Sequence, residues 1–313
     1  MNATIRPLAE RDLTTARRII SLAFGTFLGA PEPEQFWSDL DYAGTRWRAD
    51  PTAAFAAEID GEFVGSNFAT RWGSVGFFGP ITVRPGLWDQ GIGKQLMTPI
   101  MECFGRWNVT HAGLFTFAHS PKHIGLYQRY GFWPRFLTAI MSKPVHPPTS
   151  PSQWSTYSEV PESERAACLR ACHALTDALY AGLDLEREIR AASTQGLGDT
   201  VLLWNERELV GFAVCHCGPN TEAGHNKCYV KFGAVQSGPT SGALFDRLLD
   251  GCEALAAAQG MARLEAGVNM ARHLAYRKML ERGFRTDIQG VAMHRPNEPG
   301  YNRPEVYLID DWR

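Results

Sequence analysis

Residues Leu87 to Lys94, Leu-Trp-Asp-Gln-Gly-Ile-Gly-Lys, set Gly91 and Gly93 either side of Ile92 and follow them with a cation. Just before them runs Gly79-Pro80-Ile81-Thr82-Val83-Arg84-Pro85, an apolar run closed by proline. A chain that leaves a strand, turns on glycine and enters a helix exposes the helix's first N–H groups, which have no internal acceptor. The helix dipole adds partial positive charge there. Small residues let an anion come close to those amides, so this turn can cradle a phosphate or pyrophosphate, and Lys94 can add direct charge. The Gly-x-x-x-x-Gly-Lys-Ser/Thr loop is absent, as is the Gly-x-Gly-x-x-Gly fingerprint, and a plain glycine-rich turn fits the same residues.

Three other groups could do chemistry. His119 ends the strand expected beside the glycine turn, and its ordinary pKa suits proton transfer near neutrality. A loop histidine next to the following helix is the alternative, and His111 and His123 are weaker candidates. Cys215, Cys217, His225 and Cys228 invite a metal reading, but their spacing matches no common Cys-x-x-Cys site, so no metal is expected. Cys168 and Cys172 lie four apart on a helix and read as small core residues.

These residues need elements to position them. Ala3 to Leu8 reads as a strand and Ala9 to Phe24 as an amphipathic helix, with a second helix over Glu32 to Ala43. Two strands then meet at Asp60-Gly61, a good hairpin dipeptide. Gly76 to Val83 is a strand, Gly91 to Trp107 a helix bent at Pro99, His111 to Ala118 a strand, Pro121 to Tyr130 a helix and Arg135 to Val145 a strand. The second half repeats this order: strand, helix, a hairpin turning at Asn205 to Arg207, strand, helix, strand, helix, strand. Gly125-Leu-Tyr-Gln-Arg-Tyr-Gly-Phe132 and Arg277-Lys-Met-Leu-Glu-Arg-Gly-Phe284 are matching helix ends. The pattern is a tandem duplication of one α+β unit with a mixed, mostly antiparallel twisted sheet flanked by helices.

The proline-rich stretch Ser142 to Trp154 is the expected linker. It divides the chain into residues 1–147 and 148–313. With 313 residues, 44% hydrophobic and 20% charged, the chain is long enough for two globular domains. A net charge of −2 argues against a nucleic-acid partner. Seven scattered cysteines suit free thiols in a cytoplasmic setting, and no apolar run is long enough to span a bilayer.

At Val83-Arg-Pro-Gly-Leu-Trp-Asp-Gln-Gly-Ile-Gly-Lys94 and Leu126-Tyr-Gln-Arg-Tyr-Gly-Phe132 the sequence resembles the GNAT acyltransferase superfamily. That family has a strand ending Val-x-Pro, then Arg/Gln-x-x-Gly-x-Gly/Ala opening a helix, and later a helical Tyr followed by Gly-Phe. The resemblance covers residues 2–145 well and 153–295 in element order. Trp88 stands where the family usually has Arg or Gln.

The resemblance implies acetyl-CoA, or another short acyl-coenzyme A, as co-substrate. Its pyrophosphate would sit on the amides of Gln90, Gly91, Ile92, Gly93 and Lys94, and its pantetheine arm along Ile81, Thr82 and Val83. The thioester would lie between that strand and the one running from His111 to Ser120, with Ser120 as a further coenzyme A-binding residue. Tyr127 matches the family's general acid. Many relatives carry a Glu on the strand before the turn; here the position of the base falls to His119.

In the second half, Pro239 sits beside Gly238 where the turn should be, and Met279 replaces the tyrosine. This half is therefore expected to keep the fold and lose the donor site. The expected function is N-acyl transfer to the amine of a small molecule or peptide. Glu32, Glu34, Asp39 and Asp41 near the acceptor loop hint at a cationic one. The alternatives are a GNAT-like decarboxylase or S-acyltransferase pairing Thr82 with His119, and a non-catalytic acyl-CoA-binding module.

Overall fold

The computed structural model describes residues 2–146 and 154–313. Residues 147–153 of the expected linker lie outside them, while Ser142 to Pro144 belong to a strand.

The first half runs β1 (Thr4–Pro7), α1 (Leu13–Phe27), α2 (Tyr42–Ala49), β2 (Ala54–Ile59), β3 (Glu62–Trp72), β4 (Val75–Phe78), β5 (Thr82–Val83), α3 (Ile92–Arg106), β6 (His111–Thr116), α4 (Pro121–Gln128) and β7 (Trp133–Pro144). The second runs β8 (Trp154–Thr156), α5 (Glu162–Leu179), α6 (Glu186–Thr194), β9 (Gly198–Asn205), β10 (Glu208–Cys217), β11 (Lys227–Val235), α7 (Ser241–Ala258), β12 (Arg263–Asn269), α8 (His273–Glu281), β13 (Arg285–Arg295) and β14 (Leu308–Ile309).

Both hairpins form where expected. Asp60 and Gly61 take φ of 50° and 81°, the left-handed pair that a two-residue hairpin requires. The helix expected over 32–43 does not form. Asp41 accepts a hydrogen bond from the Gly44 N–H at 2.8 Å and so caps a helix that begins after it, α2. The strand expected over 76–83 is split into β4 and β5 at Gly79-Pro80, where proline offers no donor.

Among the described residues the strands join into one sheet in the order β1-β2-β3-β4-β6-β13-β7-β12-β11-β10-β9-β8, with β5 on β3 and β14 on β11. The two halves interlock at its centre. β13 lies between β6 and β7, with Val291 opposite Thr116 and Gly290 opposite Thr138. β7 in turn lies between β13 and β12, with Met141 opposite Ala266. Each half therefore donates the strand after its last helix to the other half's sheet.

Alternation along the strands separates four apolar clusters. Ala54 and Ala56 face α1 and α2, whereas Phe55 and Ala57 face α3 and α4. Phe212 and Val214 pack with α5 and α6, whereas Ala213 and Cys215 pack with α7 and α8. Trp72, Phe77 and Ala292 join the α5–α6 cluster, so one core spans both halves. Cys168 and Cys172 are buried in it, as expected of small core residues.

Candidate functional site

The site begins where β4 and β6 part. They pair in parallel from Val75 opposite His111 to Phe77 opposite Gly113 and no further. Beyond that point β6 runs on beside β13, while β5 pairs with β3, with Gly65 opposite Val83 and Ser66 opposite Thr82. No strand among the described residues pairs with the β5 edge that faces β6.

The glycine turn closes this gap at one end. Gly91 is the N-cap of α3 with φ 82°, and as a glycine it has no side chain to cap the helix, so the cap residue leaves the leading N–H groups accessible to an anion. A Cβ on Gly93 would meet nothing nearer than Leu126 Cδ2 at 3.8 Å and Ile81 Cδ1 at 4.0 Å. Lys94 is exposed, and its carbonyl accepts a bond from the Tyr130 hydroxyl at 2.7 Å. Trp88 folds back so that its indole N–H donates to the Val83 carbonyl at 2.7 Å. It thereby fixes the turn against the end of β5 instead of offering a guanidinium.

Sequence reasoning missed the cation that stands nearby. Lys122, in the first turn of α4, lies 2.6 Å from Asp89 Oδ1 and 5.7 Å from the Trp88 ring centre. The signal was the Ser-Pro-Lys opening of α4, which only the fold brings to the turn.

Tyr127 sits on α4 in the same apolar cluster as Ile81, Val83, Ile92 and Leu126. Its ring packs edge-on to Phe78 at 5.6 Å. Burial pushes its phenol well above the ordinary value, against the smaller opposing effect of a hydrogen bond with Thr116. Thr82 points to the other side of the strand, buried, with its hydroxyl 3.4 Å from that of Ser66.

His119 is exposed and stacks on Phe27 with ring centres 5.7 Å apart and 19° between planes. Phe117 and Phe24 continue this aromatic wall towards Trp37. Ser120 caps α4, accepting from the His123 N–H at 3.4 Å. His123 packs on Phe27 at 5.0 Å, and burial lowers its pKa. The fold thus gathers Ile81, Val83, Ile92 and Tyr127 on the α3–α4 side, and holds His119 against α1.

Other singled-out residues have structural employment. His111 is buried, with Nε2 3.1 Å from His294 Nδ1. Asp39 accepts from the His225 backbone N–H, and Asp41 caps α2, while Glu32 and Glu34 are exposed. Cys215 Sγ lies 4.0 Å from Cys252 Sγ. Among the described residues no group of three or more His, Cys, Asp or Glu is arranged to hold a metal, and no helix is long and apolar enough to cross a membrane.

Residues 16–132 match the family model described as Acetyltransferase (GNAT) family. Over these residues the chain is similar to that family. No curated protein sequence matches the chain. Its fold is similar to that of a putative acetyltransferase from Pyrococcus horikoshii, with TM-score 0.71, 15% identity, and 99% of this chain and 95% of the other covered. A GCN5-related N-acetyltransferase from Sphaerobacter thermophilus aligns with TM-score 0.60 and 17% identity over 95% of this chain and 96% of its own. A tandem GNAT protein from the clavulanic acid biosynthesis pathway aligns with TM-score 0.58 and 13% identity over 94% and 98%. At these identities the likeness is one of fold: an α+β architecture of two tandem GNAT-like units.

Proposed function

We propose that this GNAT protein transfers an acetyl or other short acyl group from coenzyme A to an amine, using a donor site in its first half. The observation that carries the reading is the unpaired β5 edge beside an uncapped, glycine-headed helix, within one cluster with Tyr127. The free space at Gly93 fits close approach of a pyrophosphate to the α3 amides. The main chain of Ile81, Thr82 and Val83 would hold the pantetheine arm, although Trp88 already uses the Val83 carbonyl. Gln90 to Lys94 and the Lys122 ammonium would hold the phosphates.

Attack of a neutral amine on a thioester needs a proton taken from nitrogen and one given to the departing sulfur. The buried Tyr127 phenol stays protonated at neutral pH and is suited to give that proton. The exposed His119 imidazole, on the α1 side, is suited to accept the other. Ser120 holds the start of α4 beside them.

Incubation with acetyl-CoA and a panel of amines, read by mass spectrometry, tests this. An amide product with matching free coenzyme A supports it. Loss of carbon dioxide from a carboxylated donor, or binding without turnover, would replace it with the decarboxylase or the binding-module reading.

A further inference from the structure

The second half contains the counterpart of the β5 edge, and it is filled. In the first half Gly65 lies opposite Val83; in the second Gly211 lies opposite Val235. Both glycines follow a valine two residues after the hairpin glutamate, Glu62 in one case and Glu208 in the other. In both, a Cβ would crowd a carbonyl of the facing strand, Thr82 O or Ala234 O. Ile81, Thr82 and Val83 therefore correspond to Gly233, Ala234 and Val235. The parting of strands recurs as well. β11 and β12 pair in parallel from Lys227 opposite Arg263 to Val230 opposite Ala266, then separate.

In that opening lies β14. It runs antiparallel to β11, with Ile309 opposite Gly233 and Leu308 opposite Ala234. The Val235 N–H donates to the Tyr307 carbonyl at 3.3 Å. Leu308 and Ile309 are fully buried. Tyr307 extends the cover to the helix that would carry the anion cradle: its hydroxyl stands 3.0 Å from where a Cβ on Gly242 of α7 would be, and its ring packs on Phe245 at 5.4 Å.

We infer that residues Tyr307 to Ile309 are a built-in occupant of the second half's donor groove. They take the main-chain groups that a pantetheine arm would need, and Tyr307 screens the first turn of α7. The segment is anchored on both sides. Arg272 bonds Asp310 at 2.6 Å, and the Tyr301 hydroxyl donates to the same carboxylate. The side chain of Asp311 fills the space over Gly267 of β12, and the indole of Trp312 fills the space over Gly113 of β6. Arg46 then donates to both the Arg313 carbonyl and the Gly79 carbonyl beside the first groove. One short segment thus fills one groove and braces the edge of the other. That the groove is a donor groove rests on the functional reading above; that it is filled does not.

Hydrogen exchange on the full chain, with and without acetyl-CoA, separates the two. The Val235 amide should exchange slowly without any ligand, and acetyl-CoA should slow residues 81–95 while leaving 233–242 unchanged. The double variant Tyr307→Gly, Leu308→Gly should speed exchange at 233–235 by about tenfold or more, with protection at 81–95 retained. Fast exchange at Val235 in the wild type, or protection of 233–242 by acetyl-CoA, would overturn the inference. If the variant does not fold, the wild-type exchange at Val235 still decides it. Protection at neither place would overturn the donor reading of the first half alone.

Discussion

In the first half, residues 81–83 have β3 on one side and no strand among the described residues on the other, where the Trp88 indole takes the Val83 carbonyl; in the second, residues 233–235 have β10 on one side and β14 on the other. The flanking parts diverge in step. Gly91, with φ 82°, opens α3, whereas Pro239 precedes α7 and supplies no N–H. Tyr127 stands where Met279 stands, and both are buried in matching clusters. The difference shows that a repeated unit can keep its sheet, helices and core while one strand edge is taken up by another segment of the same chain. The first half is expected to depend on the second, because β13 is the neighbour of both β6 and β7.

The largest effect should come from breaking that shared centre. Residues 1–146 expressed alone lack β13 and leave β6 and β7 without their partner. They should show no cooperative melt by circular dichroism and no acetyl-CoA binding. A soluble 1–146 fragment with wild-type activity would contradict the interlock. Next, Tyr127→Phe should lower kcat by about ten- to a thousandfold with donor affinity nearly unchanged, as expected for loss of a general acid. Met279→Tyr should give the second half no turnover. Steady-state kinetics on both variants sharpens the contrast.

Gly93→Val should weaken acetyl-CoA binding by about tenfold or more by calorimetry, because the side chain would take the space an approaching phosphate needs. The fold should survive, since its Cβ meets nothing nearer than 3.8 Å. Pro239→Gly should create no second site.

Acid tests the joint between the halves. His111 on β6 and His294 on β13 are both buried, and desolvation pushes them down to about 4 and about 3. Below the ordinary value of 6.5 the unfolded chain takes up these protons first. The stability of the neutral pair is therefore complete above pH 6.5 and is lost as pH falls towards 4. Melting temperature should drop across that window, on the order of 5 °C by pH 5, and less in His294→Gln. A flat profile would show that the pair does not respond. The smallest effect belongs to Lys122→Gln, an exposed cation, which should weaken acetyl-CoA binding by about two- to fivefold at low salt and less at high salt.

Local signals carried most of the fold and part of the candidate site. Asp60-Gly61, the glycine turn and the helix ending at Gly131-Phe132 are short-range patterns with direct physical meaning. What stayed hidden was non-local. β7 and β13 look like ordinary strands, and nothing in either says that each will pair across the other half. β14 is two residues long, too short for any periodicity to mark it. α2 and α6 are short, and Asp41 moved the first of them along the chain. Lys122 meets Asp89 only because α4 and the turn converge.

The central claim is the asymmetry of the two grooves, and the number of acetyl-CoA molecules bound per chain tests it most directly. Native mass spectrometry of the full protein titrated with acetyl-CoA should show one bound molecule per chain at saturation, and Gly93→Val should show clearly lower occupancy at the same concentration. Two molecules per chain, or one that persists undiminished in Gly93→Val, would contradict the account.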